Sequence, residues 1–102
     1  PCRYVLHTVG PIVTGRVTAR DRALLASCYC ACLTKAAEAG LKSIAFCCIS
    51  TGVFGFPQKE AASIAVASVR RWLNEHPDIP MTVVFNVFSE TDESLYRPLL
   101  GL

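Results

Sequence analysis

The sequence predicts a layered α/β fold built on a parallel sheet, and three observations lead there. Short apolar runs alternate with longer segments of helical period, in the order strand, helix, strand, helix, strand, helix. The middle run, "SIAFCCI" at 43–49, is continuously apolar rather than alternating, the pattern of a strand covered on both faces. The segments between the runs are of helix length, and a helix that links two strands of one sheet makes a right-handed crossover and leaves the strands parallel. In such sheets ligands bind beyond the carboxyl ends of the strands.

Each element has its own signals. "RYVLHTV", 3–9, reads as a strand that ends at Gly10-Pro11, and a polar loop containing Gly15 follows. Thr18 stands three residues before Asp21, a capping-box start for a helix over about 20–39. That helix keeps Leu25, Cys28, Cys32 and Ala36 on one face, and Gly40 stops it. After the strand at 43–49, Pro57 suits the first turn of a second helix. This helix runs to about Asn74, with Ala61, Ile64, Ala65, Ser68 and Trp72 on or near its buried stripe. "MTVVFNVF", 81–88, reads as a third strand, and Thr91 as the cap of a short last helix through about Leu100.

Composition narrows the classes. At 102 residues the chain is at most one domain, and 52% hydrophobic with 18% charged residues is apolar for that length, since small domains have much surface to cover. It opens "PCRYVLHTVGP" without an initiator Met, and the expectation is a piece of a longer protein whose apolar faces meet another segment. The longest uncharged stretches, such as 44–58, carry Gly, Ser and Pro and are too short to span a bilayer, and no signal peptide is visible. A net charge of +2, from basic residues scattered without aromatic interleaving, argues against nucleic acid. The six cysteines sit inside regular elements. Cys28, Cys30 and Cys32 follow i, i+2, i+4 on a helix, and Cys47 and Cys48 point to opposite faces of a strand. Neither spacing makes a tetrahedral metal cage, so they read as free, packed thiols of a reducing cytoplasm.

The segment "CCISTGVFGFPQKEAA", 47–62, carries the chemistry. Gly52 and Gly55 can take positive φ and let a ligand approach the backbone, and successive amides from Ser50 to Phe56 can form a nest in front of a helix N-terminus. An anion is the natural guest, and Ser50 and Thr51 add hydroxyl donors. Neither G-x-x-x-x-G-K-[ST] nor G-x-G-x-x-G occurs, which excludes the P-loop and Rossmann readings. The residues leave two readings open. One is a backbone phosphate cradle with Phe54 and Phe56 packed on a sugar or base, the other a plain strand-to-helix turn with those rings folded into the core.

"SIAFCCISTGVFGFP" followed by "AASIAV", with "YVLHTVGP" upstream and "VVFNVF" then "D…LY" downstream, resembles the macrodomain family, whose members bind ADP-ribose. The pairing of "AFCCISTG" with "VVFNVF" is most similar to the zinc-containing macrodomains that hydrolyse ADP-ribosyl-protein bonds. The resemblance implies a three-layer α/β/α sheet. It also implies that Ser50, Thr51, Gly52, Val53, Phe54, Gly55 and Phe56 wrap the diphosphate and distal ribose, and that Phe88 lies against adenine. For Phe88 a plain core aromatic stays open. His7 falls where the family has a structural histidine, and His76 reads as a dipole partner at a helix C-terminus.

An earlier segment of the family supplies the first strand, an Asn-rich stretch, a glycine-rich catalytic loop, the acid that recognises adenine and, in the zinc branch, the metal ligands. This sequence has no "NAAN"-like or "GGGVDGAI"-like stretch. Residues 1–102 therefore read as the C-terminal portion of a single macrodomain with the N-terminal portion absent, itself carrying no catalytic residue and no cofactor, zinc belonging to the full-length protein. ADP-ribose or an ADP-ribosylated protein is the implied partner. The implied function is removal of ADP-ribose from modified proteins, the isolated chain being inactive. The alternatives are a non-catalytic ADP-ribose-binding module and an ADP-ribose 1″-phosphate phosphatase.

Overall fold

The structure, a computed structural model, describes Gly10, residues 12–47, Ile49, and residues 55–86 and 90–101. Its elements are α1 (Ala19–Glu38), β1 (Ser43–Phe46), α2 (Gln58–Glu75), β2 (Thr82–Phe85) and α3 (Glu90–Leu99). The strand expected at 3–9, with His7, lies outside the described residues. So do 48 and 87–88 of the two later strands, while Cys47, Ile49, Met81 and Asn86, expected within them, lie just outside β1 and β2.

The start of α1 follows from its capping box. The Asp21 amide donates to Thr18 Oγ1 at 3.1 Å and the Thr18 amide donates to Asp21 Oδ2 at 3.0 Å, so two donors that a helix start leaves orphaned are both satisfied. Thr18→Ala is expected to cost about 1 kcal/mol of stability. Urea denaturation measures it, and an unmoved midpoint would show that the box contributes nothing. The helix ends in a Schellman turn, with the Leu41 amide on Ala36 O and the Gly40 amide on Ala37 O, both at 3.0 Å. Gly40 takes φ +73° there.

β1 and β2 pair in parallel, Ser43 beside Thr82 through Phe46 beside Phe85. Their side chains divide between two faces. Ile44, Phe46, Val83 and Phe85 turn toward the helices, where a row of rings crosses the core. Tyr29 of α1 meets Phe46 edge-on at 4.9 Å, Phe46 stacks on Phe85 at 6.2 Å, and Phe85 meets Tyr96 of α3 at 5.1 Å. Helices α1 and α3 thus lie on one side of the sheet, with α2 packed against both. The core is filled by Leu25, Tyr29, Leu33, Ala65, Val69 and Trp72, all nearly inaccessible.

The opposite face is open among the described residues. Ser43, Ala45 and Cys47 on one strand and Thr82 and Val84 on the other are exposed, Val84 by 52%. The run at 43–49 was expected to be covered on both sides. Among the described residues only one side is, because the three helices stack as one layer. Of the three layers that the resemblance implies, the described residues form the sheet and this helical layer. One correction concerns α3. It begins at Glu90, so Thr91 is a helical residue rather than the cap, and its carbonyl accepts the Ser94 hydroxyl at 2.8 Å.

Parallel strands joined by helical crossovers put every helix start at the same end of the molecule. Side-chain links confirm that α1 and α2 run side by side in one direction: Arg22 pairs with Glu60 at their starts, and Trp72 Nε1 donates to Thr34 Oγ1 at 3.1 Å toward their ends.

Candidate functional site at the carboxyl ends of the strands

The end of the sheet where β1 and β2 finish is also where α2 and α3 begin. The ladder continues one step beyond the paired strands, the Asn86 amide donating to Phe46 O at 2.7 Å, so the two outgoing segments leave the sheet side by side. The segment after β1 re-enters description at Gly55, which takes φ +80°. A side chain there is excluded twice: L-residues rarely adopt that conformation, and an added Cβ would stand 2.7 Å from the carbonyl oxygen of Val13. Val13 belongs to the segment before α1, so the glycine is where two connections touch at the strand ends.

Phe56 follows, 2% exposed inside the core, and Pro57 opens α2. The ring of Phe56 is therefore anchored among apolar residues, and what it can offer a ligand is its backbone. Ser50, Thr51, Gly52, Val53, Phe54 and Phe88 lie outside the described residues.

The start of α2 differs from that of α1 in a way that matters for anions. Thr18 and Asp21 occupy the first orphan donors of α1, whereas Pro57, at the N-cap of α2, has no side-chain acceptor and makes no capping bond. The first amides of α2 are thus left to be satisfied from outside the helix. Its single first-turn acid, Glu60, is paired with Arg22, and Lys59 stands beside it. By contrast, α3 carries Glu90, Asp92 and Glu93 in its first turn, and these acids satisfy its positive end. The anion-ready terminus is that of α2.

Sequence reasoning missed one feature of this end. Gln58, the first residue of α2, donates from Nε2 to Asp92 Oδ1 in the first turn of α3 at 3.1 Å. Asp92 is 8% exposed. Both residues stand in the motif segments, Gln58 just after the loop and Asp92 in "D…LY", but no local pattern tells that they meet.

The cysteines and the histidine among the described residues lie within α1, just after β1 and at the end of α2. Cys28 and Cys32 are buried on the face the helical spacing assigned them, while Cys30 is half-buried and Cys47 exposed, all four as free thiols. Burial first, then the neighbouring Cys28 and Cys47, push the Cys32 thiol above its ordinary pKa, which keeps it protonated and a poor nucleophile. His76 caps the end of α2, stacked on Trp72 at 4.1 Å with Nδ1 2.8 Å from Trp72 O, as its position at a helix C-terminus implied. Among the described residues no three of His, Cys, Asp and Glu come together to hold a metal ion. The zinc of the resembling branch therefore finds no ligand set among them, and no chemical step is routed through it. No helix among them is long and apolar enough to cross a membrane.

Known proteins agree with this geometry. The family model described as "Macro domain" matches residues 1–65. A protein-ADP-ribose hydrolase of Treponema medium is 61% identical over 101 residues, covering 99% of this chain and 38% of that protein. The ADP-ribose glycohydrolase MACROD1 of Mus musculus is 50% identical over 100 residues, covering 98% of this chain and 31% of that protein. The chain thus spans about a third to two fifths of the curated relatives it matches. Among solved structures, the Trypanosoma brucei macrodomain in complex with ADP-ribose superposes with a TM-score of 0.85 at 39% identity, over 97% of this chain and 40% of that one. With a family model on well over half its residues and solved macrodomains sharing its path, the chain belongs to the Macro domain family.

Proposed function

We propose that the protein binds ADP-ribose at the carboxyl ends of β1 and β2 and acts in removing ADP-ribose from modified proteins, this chain supplying the binding of the diphosphate and distal ribose. The observation that carries the reading is the start of α2. A helix N-terminus follows a glycine turn pressed against Val13, and its first amides, lacking a side-chain cap, suit an anionic guest. A diphosphate matches such a site by charge and by its several acceptor oxygens.

In this reading the amides of Ser50, Thr51, Gly52, Val53, Phe54, Gly55 and Phe56 meet the diphosphate, Phe54 covers the ribose, and Phe88 lies along adenine. The names of the relatives, a protein-ADP-ribose hydrolase and an ADP-ribose glycohydrolase, support a hydrolytic role, and the T. brucei complex supports the ligand. Free thiols at Cys28, Cys30, Cys32 and Cys47 fit a reducing, cytoplasmic setting.

Calorimetric titration tests the binding. ADP-ribose is expected to bind in a one-to-one complex and AMP, which lacks the diphosphate, to give no heat. A folded protein that takes up neither ligand would remove the site. Incubation with an ADP-ribosylated protein then tests the hydrolysis, and binding without release of ADP-ribose from the full-length protein would leave a recognition module instead.

A further inference from the structure

The segments that follow β1 and β2 are tied to each other at both of their ends. At their origin the tie is the backbone ladder, closed by the Asn86 amide on Phe46 O at 2.7 Å. At their far end it is a side-chain bond, Gln58 Nε2 to Asp92 Oδ1 at 3.1 Å, across the first turns of α2 and α3. The two ties differ in kind. The ladder is repeated along four residue pairs, so losing one bond leaves its register standing. The exit has this one link between side chains of the two first turns among the described residues. Asp92 is buried at 8% exposure, which holds the acceptor in place, while the donor Gln58 reaches it from an exposed position.

We propose that Gln58 is a positioning residue for the nucleotide site, resting on the ADP-ribose reading above. It sets the distance between the α2 start, where the diphosphate binds, and the α3 start, beside which the base lies. A ligand that spans both turns depends on that distance, and a ligand that reaches only one does not. Gln58 is well placed for the role. It is the first residue of α2, its backbone shares the uncapped terminus, and its side chain points away from that terminus to α3.

The test is Gln58→Leu, which keeps the bulk and removes the donor at an exposed position, so that the fold is retained. Two ligands are titrated on parent and variant: ADP-ribose directly, and inorganic pyrophosphate by competition against it. Affinity for ADP-ribose is expected to fall about three- to tenfold, the size of one lost hydrogen bond, with that for pyrophosphate unchanged within about twofold. Gln58→Met, which likewise removes the donor without adding a charge beside the phosphates, should give the same split. Equal ADP-ribose affinity in parent and variants overturns the proposal, as does an equal loss for both ligands, which would mark Gln58 as a direct phosphate contact or a merely structural residue. Pyrophosphate that displaces nothing from the parent overturns it too, because the two turns would not then be separable sites. Failure of the parent to bind ADP-ribose at all is a different result and refutes the functional reading itself.

Discussion

Gly52→Glu is expected to abolish ADP-ribose binding, lowering affinity by about a hundredfold or more. The position lies between two fixed points of the site-bearing segment, Ile49, buried at 9% exposure, and Gly55, held against Val13. A glutamate between them brings a side chain where the ligand must approach backbone, and a carboxylate where it carries its own negative charges. A hundredfold loss corresponds to about 2.7 kcal/mol, well within reach of calorimetry or of a shift in ligand-induced melting. The melting temperature of the free protein should hardly change. An unaltered affinity for ADP-ribose would take the segment out of the site.

Gly55→Val is expected to destabilise the fold by about 2–4 kcal/mol, through two costs acting together. One is the positive φ of +80°, disfavoured for any L-residue and most for a β-branched one. The other is the approach of the new Cβ to Val13 O at 2.7 Å, a contact with backbone that no rotamer change relieves. Gly40 separates the two costs. It has φ +73° with nothing within 4 Å of its would-be Cβ, so Gly40→Ala carries the conformational cost alone, about 1 kcal/mol. Gly55→Ala should exceed it, and the excess measures how firmly the Val13 segment braces the turn. Equal losses in urea denaturation would mean that the brace yields, and that Gly55 is a turn glycine and nothing more.

Local chemistry is what the sequence displayed openly. Thr18 and Asp21 announce a capping box because the two partners are three residues apart, and the structure contains both bonds. Gly40 as a stop and the buried face of Leu25, Cys28, Cys32 and Ala36 follow equally from spacing along one helix. The apolar run at 43–49 told that the strand is built for a covered sheet, but not which segment covers each face. Helices α1, α2 and α3 all stack on one side, and Ala45 and Val84 remain open. Thr91 was misread for a smaller reason, the uncertainty of one or two residues at any helix start. Within the site, Gly55 could be picked out as a turn glycine, but its contact with Val13 and the bond between Gln58 and Asp92 join residues far apart in sequence. Such pairings exist only after the topology has brought three connections to one end. The burial of Phe56 was one of two readings that the residues left open, and packing decided it for the side chain.

The parallel course of α1 and α2 has a consequence for how a ligand arrives. Peptide dipoles in side-by-side helices of the same direction add, so α1 and α2 both bring positive ends to the strand-end surface, with the first-turn acids of α3 opposing them. Little is done to cancel this at the far end of α2, whose last turn has no basic residue, while α1 has only Lys35 there. With a net charge of only +2, the orientation of these helix ends rather than the overall charge distinguishes the two surfaces. An anion coming within about 8 Å, the reach of unscreened fields at physiological salt, is turned toward the strand ends before any contact forms, and rising ionic strength erodes that orientation without touching the site itself.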